Sequence, residues 1–523
     1  MHTTRWRAIA LTAGLTVTAG LGSTQAASAA PAGGAVRHTG TGTADPRMAP
    51  FDNQQIHWQR CQDGPGDAGG KALDQAGAHC ADLRVPLDYA NPGGRTITIA
   101  ISRLKASAPA AKRLGPMIIN LGGPALPVLT DVVEARQAMG ATGARFDLVG
   151  MDQRFAGRST PLNCRWPDNW LPRGAGRSRA SFAEMVNISR DLAGRCASQQ
   201  GALLPFAGTA NAARDMDVIR AALGAPKLNY LGYSYGTYLG ALYMQMFPGH
   251  AGRIVLDSAI NPAHPGVAKG NDGPVREAAL RDWARWADQR GSVFHLGATG
   301  PKVVATVYRV YRAAGRHPLH VGPFRVDDTV VPGVLLDPLS DDTPVNEAEV
   351  AAAVRSLNRA AHGQPARPDT ELRQDLAGLL TSAGSALHSA QAAIMCADAP
   401  VSRDPASYLR GVQAHRAGAP LFSPVDQTIT PCAFWPVQAA PAPHVGNGVP
   451  ALIVNSSGDI NAALPLAKAM HRALTGSRMI VLRHVRTHGV YLFRGSACVD
   501  GTVNAYLNSG HLPAHDLSCG RNQ

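Results

Sequence analysis

The stretch that decides the fold is Leu228–Gly240, which reads LNYLGYSYGTYLG. A short apolar run leads into a Gly-x-Ser-x-Gly pattern centred on Ser234, and a helix-compatible segment follows. Strand, sharp turn and helix in this order predict a nucleophile elbow, in which the serine adopts a strained backbone conformation. Gly232 and Gly236 supply the small residues that let strand and helix pack closely. An ordinary glycine-containing turn is the alternative interpretation of the five-residue pattern alone.

Strands and helices alternate on both sides of this elbow. Apolar runs predict strands at 117–121, 146–152, 228–233, 253–257, 451–455 and 478–482, with a hairpin earlier at 83–101. This alternation predicts an α/β fold with a mostly parallel, doubly wound sheet that binds ligands at the carboxyl ends of its strands. Helical segments replace the alternation at 261–446, so we expect a mainly helical cap insertion there. The core is then formed by 58–260 and 447–523.

A catalytic serine needs a base and an orienting acid, which follow it in the chain order Ser, Asp, His in such folds. Asp459 and His488 come directly after the last two predicted strands, in this order. The imidazole would take the serine proton, and the carboxylate would hold its tautomer. Asp459 could instead be a helix N-cap, and His488 an exposed loop histidine. Asp257, at an earlier strand end, and His484 are the competing acid and base.

Bulk composition describes a globular chain of 523 residues, with 45% hydrophobic and 17% charged residues. The net charge of +13 comes from scattered Lys and Arg, with no basic run and no interleaved aromatic residues. We therefore expect no nucleic-acid partner, and at most a loose association with anionic envelope surfaces. A monomer is expected.

The first thirty residues have the pattern of a secretory signal peptide. Arg5 and Arg7 precede an apolar stretch, and small residues follow up to Ala30. The apolar stretch is too short for a stable membrane span, and no paired arginine indicates the twin-arginine route. We expect a Sec-type signal peptide at 1–30, a flexible segment at 31–57 and a secreted, extracellular protein without stable membrane insertion.

An even number of cysteines in an exported chain indicates disulfides. The eight fall into four couples of sequence neighbours: Cys61 and Cys80, Cys164 and Cys196, Cys396 and Cys432, and Cys498 and Cys519. Eight cysteines allow 105 pairings, and nearest-neighbour pairing is our prediction. No couple has the Cys-x-x-Cys spacing of a zinc site, so no structural metal is expected.

Several further stretches carry a family resemblance over about 58–519: Val85–Tyr89, Gly122–Pro124, Phe146–Asp152, Arg154, Gly157–Thr160, Gly232–Thr237, Val255–Asp257, Ile394–Asp398 and Cys498–Cys519. In these the chain resembles the secreted tripeptidyl aminopeptidases of actinobacteria, a branch of α/β-hydrolases related to proline iminopeptidases. The resemblance implies an exopeptidase that releases short peptides, typically tripeptides, from peptide substrates with free N-termini. It implies Ser234 as nucleophile, Asp459 as acid and His488 as base, without a metal or organic cofactor.

The loop that should face the nucleophile departs from the family's pattern. The family reads Asn-Pro-Gly-Gly-Pro-Gly-Gly-Ser-Gly, whereas residues 120–128 read NLGGPALPV. One oxyanion donor should be the N–H of Tyr235, and the other should come from this loop. We expect Gly123 to supply it, with Ala125 as the alternative, because Pro127 has no N–H. Losing a donor costs about 3 kcal/mol, so the altered loop predicts lower activity or a reshaped substrate site.

An aminopeptidase must also hold the ammonium group of its substrate. Asp398 is the predicted substrate-binding residue. An acidic patch is a second candidate, although a solvated charged surface explains it better: Asp341, Asp342, Glu347 and Glu349. Two other functions stay open. The triad could serve a secreted esterase or lipase-like hydrolase, since one scaffold hosts many chemistries, or the chain could be a catalytically weakened, envelope-associated binding homologue.

Overall fold

The computed structural model describes residues 45–265, 272–439 and 442–522. The predicted signal peptide and residues 31–44 of the predicted flexible segment lie outside these residues, whereas residues 49–52 of that segment form a short helix whose Phe51 is buried in the main apolar cluster. Within them, a single nine-stranded sheet runs through the molecule, in the spatial order β1-β2-β4-β3-β5-β6-β9-β10-β11. Its strands, in chain order, are β1 (His79–Pro86), β2 (Thr96–Leu104), β3 (Pro116–Asn120), β4 (Asp147–Met151), β5 (Leu228–Tyr233), β6 (Ala251–Asp257), β9 (Ala451–Ser456), β10 (Ser477–Leu482) and β11 (Leu517–Cys519).

The sheet is antiparallel at one edge and parallel elsewhere. β2 pairs antiparallel with β1 and with β4, and all the later neighbours from β4 to β11 pair in parallel. Central strands such as β5 and β9 are buried along their whole length, which explains their continuous apolar runs, because helices cover both faces. The predicted mostly parallel, doubly wound sheet and its hairpin are confirmed. The edge strand β11 was not predicted.

Helices also form before the insertion and after it. They are α1 (Ala49–Asp52), α2 (Ala68–Gln75), α3 (Asp131–Gly143), α4 (Arg179–Gln200), α5 (Thr209–Ala222), α6 (Tyr235–Met246) and, near the end, α16 (Leu464–Ala473) and α17 (Ala497–Ser509). Several of them, such as α6 and α17, contact strands of the sheet. None of the described helices combines the length and the apolar composition that a bilayer span requires.

The chain between β6 and β9 is mainly helical, as predicted. It contains α7 (Gly273–Asp288), α8 (Gly291–Phe294), α9 (Gly300–Ala314), α10 (Val331–Leu339), α11 (Pro344–Ala361), α12 (Thr370–Leu380), α13 (Ser385–Asp398), α14 (Pro405–His415) and α15 (Ser423–Asp426). A short antiparallel pair, β7 (Leu319–Val321) with β8 (Phe324–Val326), was not anticipated. Trp283 of α7, Val310 of α9 and Val354 of α11 belong to one buried cluster, so most of the insertion has its own apolar core.

The segment after β4 contacts the insertion directly. The N–H of Asn169 donates to the carbonyl of Leu379 at 2.9 Å, and that of Gly174 donates to the carbonyl of Thr329 at 2.8 Å. Residues on both sides of the elbow therefore contribute to the cap, and the boundaries at 261 and 446 stay predictions.

Four disulfides join the cysteines as sequence neighbours. The pairs are Cys61–Cys80, Cys164–Cys196, Cys396–Cys432 and Cys498–Cys519. The nearest-neighbour pairing is the one predicted.

Candidate active site

Ser234 stands at the turn between β5 and α6, with φ of 53° and ψ of −123°. L-residues rarely adopt this conformation, which persists only where the surroundings impose it. The Ser234 N–H donates to the carbonyl of Asp257 at 3.0 Å. A Cβ on Gly232 would lie 2.7 Å from the carbonyl oxygen of Gly236, and one on Gly236 would lie 2.8 Å from that of Asn120. Glycine is therefore required at both positions, and Ser234 is held at the apex.

His488 and Asp459 lie on neighbouring loops that follow β10 and β9. Nδ1 of His488 is 2.9 Å from Oδ2 and 3.0 Å from Oδ1 of Asp459. The Asp459 carboxylate is fully buried, and its Oδ1 also accepts the N–H groups of Asn461 and Ala462, each at 2.8 Å. The His488 side chain is 22% exposed. A fixed, buried carboxylate thus orients a histidine whose ring is partly open to solvent.

The end of β6 lies between the elbow and the His488 loop. The carbonyl of Asp257 accepts the Ser234 N–H, as described above, and Ser258 Oγ accepts the N–H of Gly489 at 2.8 Å. Ser234 and His488 therefore flank the same pair of residues at the carboxyl edge of the sheet.

The two competing residues have other partners. The Asp257 carboxylate accepts the N–H groups of Val490 at 3.0 Å and Tyr491 at 2.7 Å. Burial raises the pKa of Asp257 to about 7, although these hydrogen bonds oppose the rise. His484 is exposed, and its backbone N–H donates to Ser457 Oγ at 3.0 Å. Asp257 thus supports the backbone that follows the histidine, while Asp459 contacts the imidazole.

The loop after β3 packs directly on the elbow. A Cβ on Gly122 would lie 3.0 Å from Cβ of Ser234 and 3.2 Å from the backbone nitrogen of Tyr235. Gly122 has a φ of 98° and Gly123 a φ of 105°, values that favour glycine. The Gly-Gly-Pro remnant of the family's loop therefore keeps its backbone against the nucleophile.

Most backbone donors of this loop are already engaged. The N–H of Gly122 donates to Oδ1 of Asn120 at 2.9 Å. The N–H of Ala125 donates to Oε1 of Gln153 at 3.1 Å, and the proline between has no N–H. Of the loop residues 122–125, Gly123 keeps a backbone N–H without one of these acceptors. The geometry thus favours Gly123 over Ala125 as the loop's oxyanion donor.

Two residues to which the sequence assigned no role hold the altered part of the loop. Gln153 binds Ala125, and Oδ1 of Asp152 accepts the N–H of Val128 at 2.8 Å. Gln153 and Asp152 are each 1% exposed, and burial raises the pKa of Asp152 to about 6. Ala125 has a φ of 61°, which is unfavourable for alanine. The signal that could have identified both residues is their position directly after β4, at the same edge of the sheet.

Asp398 is linked through Thr209 to Tyr235, the residue that follows Ser234. Its carboxylate accepts the backbone N–H of Thr209 at 2.7 Å and the hydroxyl of Thr209 at 2.5 Å. The same hydroxyl contacts the hydroxyl of Tyr235. Burial raises the pKa of Asp398 to about 7. Both carboxylate oxygens are engaged, so a role of Asp398 towards a substrate ammonium stays a prediction.

Three residues of the acidic patch are ion-paired to arginines near His488. Nη2 of Arg486 is 2.6 Å from Oε1 of Glu347, and Nη1 of Arg494 is 2.8 Å from Oδ1 of Asp341. These three carboxylates are therefore ion-paired and partly or fully buried rather than a solvated charged surface. We call this group the insertion clamp; it comprises Asp341, Asp342 and Glu347 from the insertion, and Arg486, Arg494 and Arg521 from the C-terminal part of the chain.

The chain is similar to two protein-family models and to several individual proteins. Residues 116–326 match the family model described as alpha/beta hydrolase fold, and residues 419–519 match the one described as TAP-like protein. The chain is 32% identical to the tripeptidyl aminopeptidase of Streptomyces lividans over 457 residues, 84% of this chain and 83% of that protein. It is 29% identical to serine protease Hip1 of Mycobacterium tuberculosis, over 90% of this chain and 92% of that protein. It is also 30% identical to carboxylesterase B of the same organism, over 94% of each chain.

Proposed function

Because the chain belongs to the tripeptidyl aminopeptidase family of α/β-hydrolases and is a serine peptidase, we propose that it releases tripeptides from the free N-termini of peptides. Ser234 is the proposed nucleophile, His488 the base and Asp459 the orienting acid. The observation that carries this proposal is the 2.9 Å contact between His488 Nδ1 and Asp459 Oδ2, at the same carboxyl edge of the sheet as the strained Ser234. The identity to a tripeptidyl aminopeptidase over most of both chains supports the choice of substrate.

In the proposed acylation step, Ser234 Oγ attacks the carbonyl carbon of the scissile bond while His488 Nε2 takes the hydroxyl proton. Asp459 keeps the other imidazole proton on Nδ1, which leaves a lone pair on Nε2, and it stabilises the imidazolium that forms. Its complete burial supports this role, because charge–charge attraction is stronger in a medium of low dielectric constant.

The developing oxyanion would lie between the N–H groups of Tyr235 and Gly123, and one such donor contributes about 3 kcal/mol to transition-state stabilisation. The His488 imidazolium then gives its proton to the leaving amine as the C–N bond breaks. Water, deprotonated by His488, attacks the resulting acyl-enzyme and releases the tripeptide.

Export through the signal peptide at 1–30 is part of the proposal. The sequence of this segment and the four disulfides support it, since disulfides persist in oxidising compartments outside the cell.

The test uses the purified mature protein and reporter amides of one to four residues, each with a free or an acetylated N-terminus. The tripeptidyl reporter with a free N-terminus should be cleaved fastest, and acetylation should abolish its cleavage. Ser234→Ala should remove the activity, whereas Ser509→Ala on the exposed end of α17 should retain it. Activity that survives Ser234→Ala would contradict the mechanism.

An esterase is the second candidate, because carboxylesterase B aligns over 94% of each chain. The same triad would hydrolyse an ester without change. Turnover of short-chain p-nitrophenyl esters in the absence of any cleavage of tripeptidyl amides would select this function. Turnover of every reporter equal to that of Ser234→Ala would select the weakened binding homologue.

A further inference from the structure

Phe493 is an exposed aromatic ring beside the candidate active site. Among the described residues, the large apolar side chains that are exposed are Val293, Val345 and Phe493, and the last is 39% exposed. It lies five residues after His488. Exposed apolar residues are common singly, but an aromatic ring beside a reactive site is the type of group that contacts substrates.

The Phe493 ring contacts the sequence neighbours of two residues of the candidate triad, Ser234 and His488. It packs edge-on against the ring of Tyr233, with centroids 5.1 Å apart and planes at 90°. A Cβ on Gly489 would lie 3.2 Å from Cδ2 of Phe493, so the ring lies against the backbone there. Tyr233 directly precedes Ser234, and Gly489 directly follows His488.

Contacts of residues 492–494 fix the main chain from which the Phe493 ring projects. The Phe493 N–H donates to the carbonyl of Val490 at 3.3 Å. The preceding Leu492 has a φ of 69°, and the following Arg494 is ion-paired to Asp341. A rigid ring contacts a ligand with little loss of conformational entropy, because it is ordered before binding.

We propose that Phe493 forms the subsite for the first residue of the leaving peptide and favours apolar or aromatic side chains there. The inference deepens the proposed function and rests on it for the identity of the leaving group. Since His488 must protonate the leaving amine, the residue that carries this amine lies on the histidine side of Ser234. Phe493 packs on the residue that follows His488. The carbonyl oxygen of the acyl part points instead towards Tyr235 and Gly123.

Acyl transfer to added amines tests this subsite alone. An acceptor amine attacks the acyl-enzyme, its nitrogen bonds to the acyl carbon, and the ester bond to Ser234 breaks as the hydroxyl regains a proton through His488. By microscopic reversibility, the acceptor occupies the position of the leaving residue. We expect the full-length mature enzyme to prefer phenylalaninamide over glycinamide by roughly tenfold or more, the usual selectivity of an apolar contact.

Phe493→Ala should reduce this preference to less than about threefold. Phe493→Tyr should retain the preference, and so should Val293→Ala, a matched change at an exposed apolar residue of α8. An unchanged preference in Phe493→Ala would overturn the proposal. An equal loss of transfer to both amines would also overturn it, since it would indicate a general disturbance of the site.

The outcome is separable from that of the proposed function. Any donor that acylates Ser234 serves, whether a tripeptidyl reporter or p-nitrophenyl acetate. Failure to release tripeptides, with Phe493-dependent selection of amines, would reject the exopeptidase and keep the subsite. Tripeptide release without selection would do the reverse.

Discussion

The two loops that face Ser234 are held by different chemistry. The His488 loop is fastened by the insertion clamp, whose acidic residues come from α11 and from the connection between α10 and α11. The oxyanion loop after β3 is fastened by Gln153 and Asp152, which lie directly after β4 and accept the N–H groups of Ala125 and Val128 of the loop. The backbone before His488 thus depends on how the insertion docks, whereas the backbone after it and the oxyanion loop are held by residues of the core.

Both residues before His488 are bound to the insertion. The N–H of Asp342 donates to the carbonyl of Arg486 at 2.8 Å, and the N–H of Arg486 donates back to Oδ2 of Asp342 at 3.2 Å. The hydroxyl of Thr487 donates to Oδ2 of Asp341 at 2.7 Å. The insertion therefore helps to hold the backbone that leads into His488, together with the core residue Ser456, whose hydroxyl donates to the carbonyl of Thr487.

Removing the charge of Asp459 has the largest expected effect, because the His488 imidazole then loses its carboxylate partner. Asp459→Asn should lower kcat by about 10⁴, because the amide favours the wrong imidazole tautomer, while KM changes little. Steady-state kinetics on the tripeptidyl reporter measures this. Asp191→Asn, at an exposed ion pair on α4, is the matched control. A loss below tenfold would show that Asp459 does not orient the base.

Breaking the clamp should be the next most damaging change. The Arg486 and Glu347 side chains are 7% and 5% exposed, so Arg486→Met leaves a buried carboxylate unpaired and should destabilise the fold by about 3–5 kcal/mol. Urea unfolding measures this. Arg410→Met removes an exposed pair, with side chains 68% and 56% exposed, and should cost less than about 1 kcal/mol.

If the clamp positions His488, Arg486→Met should also lower kcat in the fraction that stays folded. Equal stabilities of Arg486→Met and Arg410→Met would contradict the comparison between the two loops.

A smaller change tests the oxyanion side. Gln153→Leu keeps the volume but leaves the buried Ala125 N–H without its acceptor, which should cost about 1–3 kcal/mol. The released loop should lower kcat by roughly tenfold, less than the loss of a donor itself. Kinetics and urea unfolding measure both effects. A kcat equal to that of the unchanged enzyme would show that the loop keeps its place without Gln153.

The smallest expected effect, taken per pH unit, is a change in the pH dependence of the unfolding free energy. The folded-state pKa of Asp398 is raised to about 7, so the folded protein retains a proton that the unfolded chain releases between about pH 4 and pH 7. This group therefore makes stability fall as pH rises through that window, by on the order of 1 kcal/mol per pH unit.

Asp398→Asn should remove this contribution and flatten the curve of unfolding free energy against pH. Urea unfolding at pH 4.5, 5.5 and 6.5 measures it. Asp257 contributes in the same direction in both proteins, so only the difference between the two curves is diagnostic. Parallel curves would show that Asp398 does not hold its proton in the folded state.

The sequence predicted those parts of the site that local geometry or strand order dictates. Gly232 and Gly236 are imposed by backbone contacts within one turn, and such contacts leave a short, readable pattern. Asp459 and His488 could be singled out because each follows a strand of the central sheet. The sequence predicted His488 as the base but left His484, in the same loop, as a competitor; in the structure the Asp459 carboxylate contacts His488.

Contacts between distant segments could not be predicted. Gln153 reaches Ala125 only because β3 and β4 are neighbours in the sheet, and nothing in the residues between them indicates that contact. The clamp joins Glu347 to Arg486 across 139 positions of the chain. Because the arginines of the clamp are distant in the chain, the sequence predicted a solvated charged surface for the acidic patch instead of ion pairs.

The clamp bears on how this scaffold could be re-engineered. Arg521 lies two residues beyond Cys519, near the end of the chain, and contacts Asp342. A chimera that exchanged only the helical insertion for that of a relative would leave three arginines facing foreign side chains. Grafts of new specificity should therefore carry positions 486, 494 and 521 with the insertion, as one transferable module assembled from separate stretches of the chain.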